Sequence, residues 1–175
     1  MKAATRVIVT EGLSAPTATI AREAGVSSGS LFTYFDTKAE LFNQLYLELK
    51  SGMAAAALEG IPAGGKFRDQ MFHVWSNWMR WAVASPEKRR ALAQLSVSDQ
   101  MTAATRAGGN KAMKGLAELM ERCRAKGALR DAPMAFVASI VNSMAEATMD
   151  FMVQDPTNAA KHCKAGFEAL WRALN

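Results

Sequence analysis

The stretch Ile20–Leu41, IAREAGVSSGSLFTYFDTKAEL, decides the reading of this chain. Ile20, Ala21 and Ala24 give a short helix one apolar face at three- and four-residue spacing. Gly25 supplies the left-handed backbone that ends it, and Val26 is expected to plug the corner. Ser27 is a good N-cap for a second helix, Ser28 to Phe35. On that helix Leu31, Tyr34 and Phe35 fall to one side, while Ser28, Gly29, Ser30 and Thr33 form a short, polar, open N-terminal half. Two helices joined by so tight a corner read as a helix-turn-helix. Side chains this small suit a helix whose N-terminal turns enter the major groove of double-stranded DNA.

Gly12, Ile20, Ala21, Ala24-Gly25-Val26-Ser27, Gly29, Leu31-Phe32, Tyr34-Phe35, Lys38 and Leu41 together resemble the DNA-binding region of TetR-family (tetracycline-repressor-like) transcriptional regulators. The pattern spans about thirty residues at the family's spacing, and the rest of the chain matches only in length and helical character. The resemblance implies an all-α fold. An N-terminal three-helix DNA-binding head with the helix-turn-helix occupies residues 1–45, and a C-terminal helical ligand-binding and dimerisation domain occupies residues 46–175. It also implies phosphate contacts from Tyr34, Lys38 and Thr17, the last in the first turn of the preceding helix. From the residues themselves, the backbone N–H groups after Ser27 suit phosphate or base acceptors. Gly29 permits close approach to the groove floor, and Ser28, Ser30 and Thr33 can hydrogen-bond base edges or phosphate. Relatives often carry Lys at position 28 and an aromatic residue or His at position 33, so no operator sequence follows. Relatives commonly carry a further basic arm ahead of the first helix, and no residues here match it.

Charge places the DNA-reading surface by geometry rather than by a basic field. The 175 residues carry a net charge of +5. Yet residues 1–50 hold five basic residues (Lys2, Arg6, Arg22, Lys38, Lys50) and five acidic ones (Glu11, Glu23, Asp36, Glu40, Glu48). The basic excess lies beyond, at Lys88-Arg89-Arg90 and Arg122-Arg124-Lys126, where solvated helix faces are the plain reading. Recognition then rests on local fit and a few phosphate contacts.

Half of the chain is hydrophobic, with 11 Met and 4 Trp against 5 Pro, and no strand-like alternation occurs. No apolar run reaches the length of a membrane span, and the N-terminus lacks the layout of a signal peptide. A cytoplasmic protein without membrane contact is expected. Cys123 and Cys163 fit neither a disulfide framework nor a zinc pattern. Neither His73 nor His162 lies at ligand spacing, and Glu146 and Asp150, at i,i+4, lack the Glu-x-x-His partner of a di-iron bundle. The expectation is of no enzyme, no metal and no cofactor.

Along the chain, Ala3, Ala4, Val7 and Ile8 mark an opening helix closed by Gly12. A long helix is expected from Lys38 to Leu58 with Leu41, Phe42, Leu45 and Leu49 inward, and Gly60-Ile61-Pro62-Ala63-Gly64-Gly65 stops it. From Lys66 to Ser85 apolar residues cover nearly the whole circumference, as in a helix surrounded by others. Pro86 starts the next helix, and Gly108-Gly109 marks a break before another that runs to Lys126. Met134–Val153 and Asn158–Leu174 complete the set.

Phe72, Trp75, Trp78 and Met79, with Met144, Glu146, Thr148 and Met152, are candidates to line a cavity for a small lipophilic effector. An inward Glu146 would favour a cationic compound. An outward one leaves neutral or fatty ligands open. The last two helices, with the Cys163–Phe167–Leu170–Leu174 seam, are the expected homodimer surface. The combined expectation is a homodimeric repressor that binds a palindromic operator and is released by its effector. The alternative is a helical ligand-binding or scaffolding protein without DNA binding.

Overall fold

The computed structural model describes residues 1–175 and contains ten α-helices, one 3-10 turn and no strand. By packing, the chain divides into two compact units, Met1–Met53 with Ser85–Met113, and Ala54–Ala84 with Lys114–Asn175. This differs from a division after residue 45, because a later pair of helices folds back onto the N-terminal ones.

In the first unit, α1 (Lys2–Glu11) buries Ala4, Val7 and Ile8 and ends at Gly12. Then come α2 (Thr17–Glu23), α3 (Ser28–Tyr34) and α4 (Lys38–Leu58), whose last residues belong to the second unit. Leu41, Phe42, Leu45 and Leu49 of α4 are buried as their spacing predicts. α6 (Pro86–Ser96) packs against α1 and contributes Ala91, Leu92 and Leu95 to the core. α7 (Ala103–Ala112) is tied to α4 by the buried side chain of Asn43, which donates to the Gln100 carbonyl (2.9 Å) and accepts from the Thr102 amide (3.0 Å).

Gly108 and Gly109 lie inside α7 rather than breaking it, and the interruption falls at Met113. Their role is close approach. A Cβ at Gly108 would stand 2.9 Å from Leu47, and one at Gly109 2.8 Å from the Tyr46 ring. The sequence signal was the pair of missing side chains, and the neighbouring α4 is what they accommodate.

In the second unit, α5 (Phe67–Ala84), α8 (Lys114–Arg124), α9 (Met134–Gln154) and α10 (Ala159–Leu174) share one core. The 3-10 turn Pro156–Asn158 joins α9 to α10. Met71, Trp75, Met79, Val137, Ala145 and Met149 pack with Cys163, Phe167, Leu170 and Leu174. That seam on α10 is therefore covered by its own chain, against α9 and α5, and is not free to meet a second copy. α5 is also less enclosed than its composition predicts. Met71, Val74, Trp75, Met79 and Ala82 are buried, but Phe72 and Arg80 remain exposed on the other side. α5 closes the C-terminal end of α4: His73 Nε2 meets the Glu59 carbonyl at 2.7 Å, and Asn77 donates to the same oxygen at 2.8 Å.

Arg124, nearly buried, organises the turn between α8 and α9. Its guanidinium donates to the carbonyls of Leu129, Arg130 and Ala132 at 2.7–2.8 Å and holds the Glu121 carboxylate in a two-pronged pair. No helix is long and apolar enough to cross a membrane.

Candidate nucleic-acid interface

The corner between α2 and α3 is built by backbone geometry that the sequence specifies closely. Gly25 adopts φ 70°, the left-handed conformation that a side chain would strain. Its N–H donates to the Arg22 carbonyl (3.1 Å) and that of Val26 to the Ala21 carbonyl (3.0 Å). This paired arrangement satisfies carbonyls that the end of a helix otherwise leaves open. Val26 contributes its backbone rather than a plug, since its side chain is 44% exposed. One residue on, Ser27 is extended and its Oγ accepts from the Ser30 amide at 3.1 Å, starting α3. The Ser30 hydroxyl lies 2.9 Å from the same oxygen.

Only Leu31 anchors α3; it is buried while every other residue from Ser28 to Tyr34 is exposed. Ser28, Gly29, Ser30 and Thr33 thus share an open surface. The Thr33 hydroxyl turns back to donate to the Gly29 carbonyl at 3.2 Å. Tyr34 does not pack under the corner with Leu31. It is 77% exposed, which leaves its ring and hydroxyl free. Phe32, 45% exposed, belongs to the same surface, although the sequence reading gave it no contact role. Its signal was present, four residues after Ser28 and three after Gly29, spacings that put all three on one helix face.

A Thr37 cap and the Glu40 carboxylate orient the start of α4. The Glu40 amide donates to Thr37 Oγ1 (3.0 Å), and the Glu40 carboxylate accepts from the Asp36 amide (2.7 Å). Lys38 follows that cap directly, half-buried, with its ammonium 5.3 Å from the centre of the Phe42 ring. Thr17 is half-buried as the first residue of α2, behind Pro16. Arg6 and Glu23 form an ion pair at 2.7 Å that ties α1 to α2.

The candidate effector residues are gathered only in part. Trp75, Met79 and Met152 lie in the core of the second unit, with Trp78 and Met144 packed against it. Trp75 is pinned: its indole N–H donates to the Cys163 carbonyl at 3.0 Å and its ring meets Trp78 edge-on. Thr148 is buried against Gly166 and donates to the Met144 carbonyl at 2.8 Å. Phe72 is partly exposed and stacks at a tilt on Phe167, 5.0 Å between ring centres. Glu146 is exposed and does not join this cluster.

Residues 1–45 match the family model for bacterial regulatory proteins of the tetR family. The whole fold is similar to a crystal structure described as a putative tetR-family transcription regulator from a Shewanella species. That match has 28% identity and a TM-score of 0.86, covering 99% of this chain and 94% of the other. A TetR-family regulator from Marinobacter aquaeolei matches at 20% identity and a TM-score of 0.81, over 99% and 92% of the two chains. FadR from Bacillus subtilis, solved in complex with stearoyl-CoA, shares the fold at 16% identity and a TM-score of 0.72, over 99% and 97%. The helix-turn-helix and its matched residues identify residues 1–45 as similar to the DNA-binding region of tetR-family regulators, and the full-length fold is similar to that of a tetR-family transcription regulator.

Proposed function

We propose that this regulator is a homodimeric, ligand-responsive repressor that binds a palindromic operator and leaves it when a small lipophilic effector binds. The observation that carries the reading is the outer face of α3. Ser28, Gly29, Ser30, Thr33 and Tyr34 are all exposed on a helix held by one buried leucine and a fixed corner. Ser28 and Thr33 are the base readers in this reading, Tyr34 and Lys38 the phosphate contacts, with Thr17, Ser27, Gly29 and Ser30 completing the surface.

One short reading helix gives little discrimination, and a two-fold pair spaced 34–36 Å apart reads two half-sites. The surface that suits the pairing is the outward row Phe136, Ile140, Ser143, Ala147 and Phe151 on α9, beside Ala165 and Ala169 of α10. Phe136 is 55% and Phe151 56% exposed in the single chain, and large apolar side chains so exposed on one helix favour a partner surface. A monomer at micromolar concentration in sedimentation would remove the dimer from the reading. So would an undisturbed dimer in the Phe136→Glu/Phe151→Glu variant.

For the effector, the methionine-rich core of the second unit (Met71, Met79, Met149 and Met152, with Met144) supports an apolar ligand, because unbranched thioethers repack readily. FadR, with its bound stearoyl-CoA, is a relative of the same fold that accommodates a lipophilic molecule. The exposed Glu146 leaves no buried carboxylate calling for a cationic effector. α4 follows α3 after a three-residue link and runs unbroken to Leu58, so it is the element by which an effector would move the reading helix. A hundredfold preference of the effector for the released state is worth about 2.7 kcal/mol, enough to shift operator occupancy.

Selection from random DNA fragments, at low salt and again near physiological salt, tests the central claim. An enriched palindrome supports it. No enrichment would leave a helical ligand-binding or scaffolding protein instead.

A further inference from the structure

On α4, Lys50 is half-buried and makes no ion pair. Its neighbours at three- and four-residue spacing are Tyr46, Leu47, Met53 and Ala54, so its own helix offers no carboxylate. Its ammonium instead lies 5.9 Å from the centre of the Tyr46 ring. Tyr46 is buried, with α7 flush against its ring at Gly109, yet its hydroxyl makes no hydrogen bond to the protein. No sealed polar atom in the chain lacks a partner, so that oxygen keeps access to its surroundings. A partly desolvated cation over the ring of that phenol, with no anion paired to it, carries a free-energy cost that an anion would recover.

We infer that Lys50 and Tyr46 form a receptor for the head group of a monoanionic amphiphile, a carboxylate with an apolar tail. The carboxylate takes a charged hydrogen bond from the Lys50 ammonium and a second from the Tyr46 hydroxyl. The charge count favours a monoanion over a phosphate dianion. Arg106, the nearest further cation to act on Tyr46, is occupied in donating to the carbonyls of Ser96 and Ser98 at 3.2 and 2.9 Å. It adds positive field there while two of its five N–H groups are turned to those carbonyls. Burial pushes Lys50 below the ordinary lysine value and Tyr46 above the ordinary phenol value, as expected where charge is poorly solvated. Leu47 and Met53, three residues before and after Lys50 on α4, are the apolar neighbours a tail would meet. The inference goes beyond the second-unit effector core, since this site lies wholly in the first unit, and it rests only on the reading that the protein responds to a ligand.

Calorimetric titration of the full chain, without DNA, with decanoate, decanol, decylamine and decyl phosphate tests this. Decanoate should bind at least about tenfold more tightly than each of the others, the scale of one charge-assisted hydrogen bond. Lys50→Met, which keeps the aliphatic stem, should erase the preference for decanoate over decanol with no loss in thermal midpoint. Lys50→Arg should retain it, and Tyr46→Phe should weaken decanoate several-fold. Equal binding of decanoate and decanol, preference for decyl phosphate, or full decanoate affinity in Lys50→Met would each overturn the site. If no probe of the series binds, the site is refuted. The ligand-responsive reading fails with it only if a wider lipophile panel also leaves the operator complex intact.

Discussion

Gly166→Ala should destabilise the second unit, although alanine is the better helix former. A Cβ at position 166 of α10 would stand 2.2 Å from Thr148 Oγ1, 2.9 Å from its Cγ2 and 3.1 Å from its Cβ on α9. Both branches of the threonine are in the way, so no χ1 rotation clears the contact, and the two helices must part. Overpacking of this kind costs about 1–3 kcal/mol, and contact with both branches argues for the upper end. Replacing a mid-helix glycine by alanine returns about 1 kcal/mol. The net expectation is a loss of about 2 kcal/mol, or roughly 4–8 °C in thermal midpoint for a chain of this length. Thr148→Ala in the same chain removes both offending branches and should restore most of that loss, giving a coupling of about 2 kcal/mol between the sites. Urea unfolding followed by tryptophan fluorescence is the appropriate assay, because Trp75, Trp78, Trp81 and Trp171 all lie in the second unit. A neutral or stabilising Gly166→Ala, or strictly additive effects of the two substitutions, would refute the packing argument.

Three further outcomes are expected. Arg124→Lys should lower the thermal midpoint by several degrees, since an ammonium cannot serve three carbonyls and the Glu121 carboxylate together. The His162 and Asn158 hydrogen bonds hold Asp155 below the ordinary aspartate value of 3.8. Its contribution to stability is therefore complete above that value and is lost as pH falls through the depressed native one. Accordingly Asp155→Asn should be less stable than the parent at neutral pH, with the difference shrinking on acid titration. Lys38→Glu should weaken operator and random DNA alike and flatten the salt dependence by about 0.9 for each phosphate it leaves without a cation, whereas Thr33→Ala should mainly relax preference at one base, both read by fluorescence anisotropy across a salt series.

Signals confined to one turn of chain were legible in the sequence. Gly25 and Ser27 announce the corner because the end of α2 and the start of α3 are satisfied by groups within five residues. The inward residues of α4 follow from spacing alone. What depended on a distant partner was read less well. Gly108-Gly109 looks like a helix break, and only the Tyr46 and Leu47 side chains explain why two glycines sit inside α7. The Cys163–Phe167–Leu170–Leu174 repeat has the spacing of a helix seam, but periodicity cannot say whether the facing helix belongs to the same chain. Tyr34 shares a side with Leu31 in projection, yet at the last turn of a seven-residue helix little remains to cover it. Lys50 carries no pattern at all. It matters only through the ring beside it and the carboxylate it lacks.

The neutral charge of residues 1–50 bears on how such a head would hold DNA. From Ser27 to Phe35 there is no ionisable acid or base apart from the Tyr34 hydroxyl. Of the acidic residues near this surface, Asp36 just past Phe35 is exposed with an unpaired carboxylate, whereas two others are engaged elsewhere. Glu23 is held by Arg6, and Glu40 caps the start of α4 and also accepts from Gln44 at 3.0 Å. The face of α3 is thus polar and uncharged, with Asp36 and Lys38 of opposite charge at its border, so it neither attracts nor repels the phosphate backbone strongly. Non-specific affinity comes almost entirely from neutralised phosphates, and few are available per head. A head of this kind binds random DNA weakly, and its affinity must come from fit at base edges and from joining two heads. If the proposed dimer forms through α9, a substitution on its outer face that parts the two copies should abolish operator binding outright, even with every residue of α3 intact.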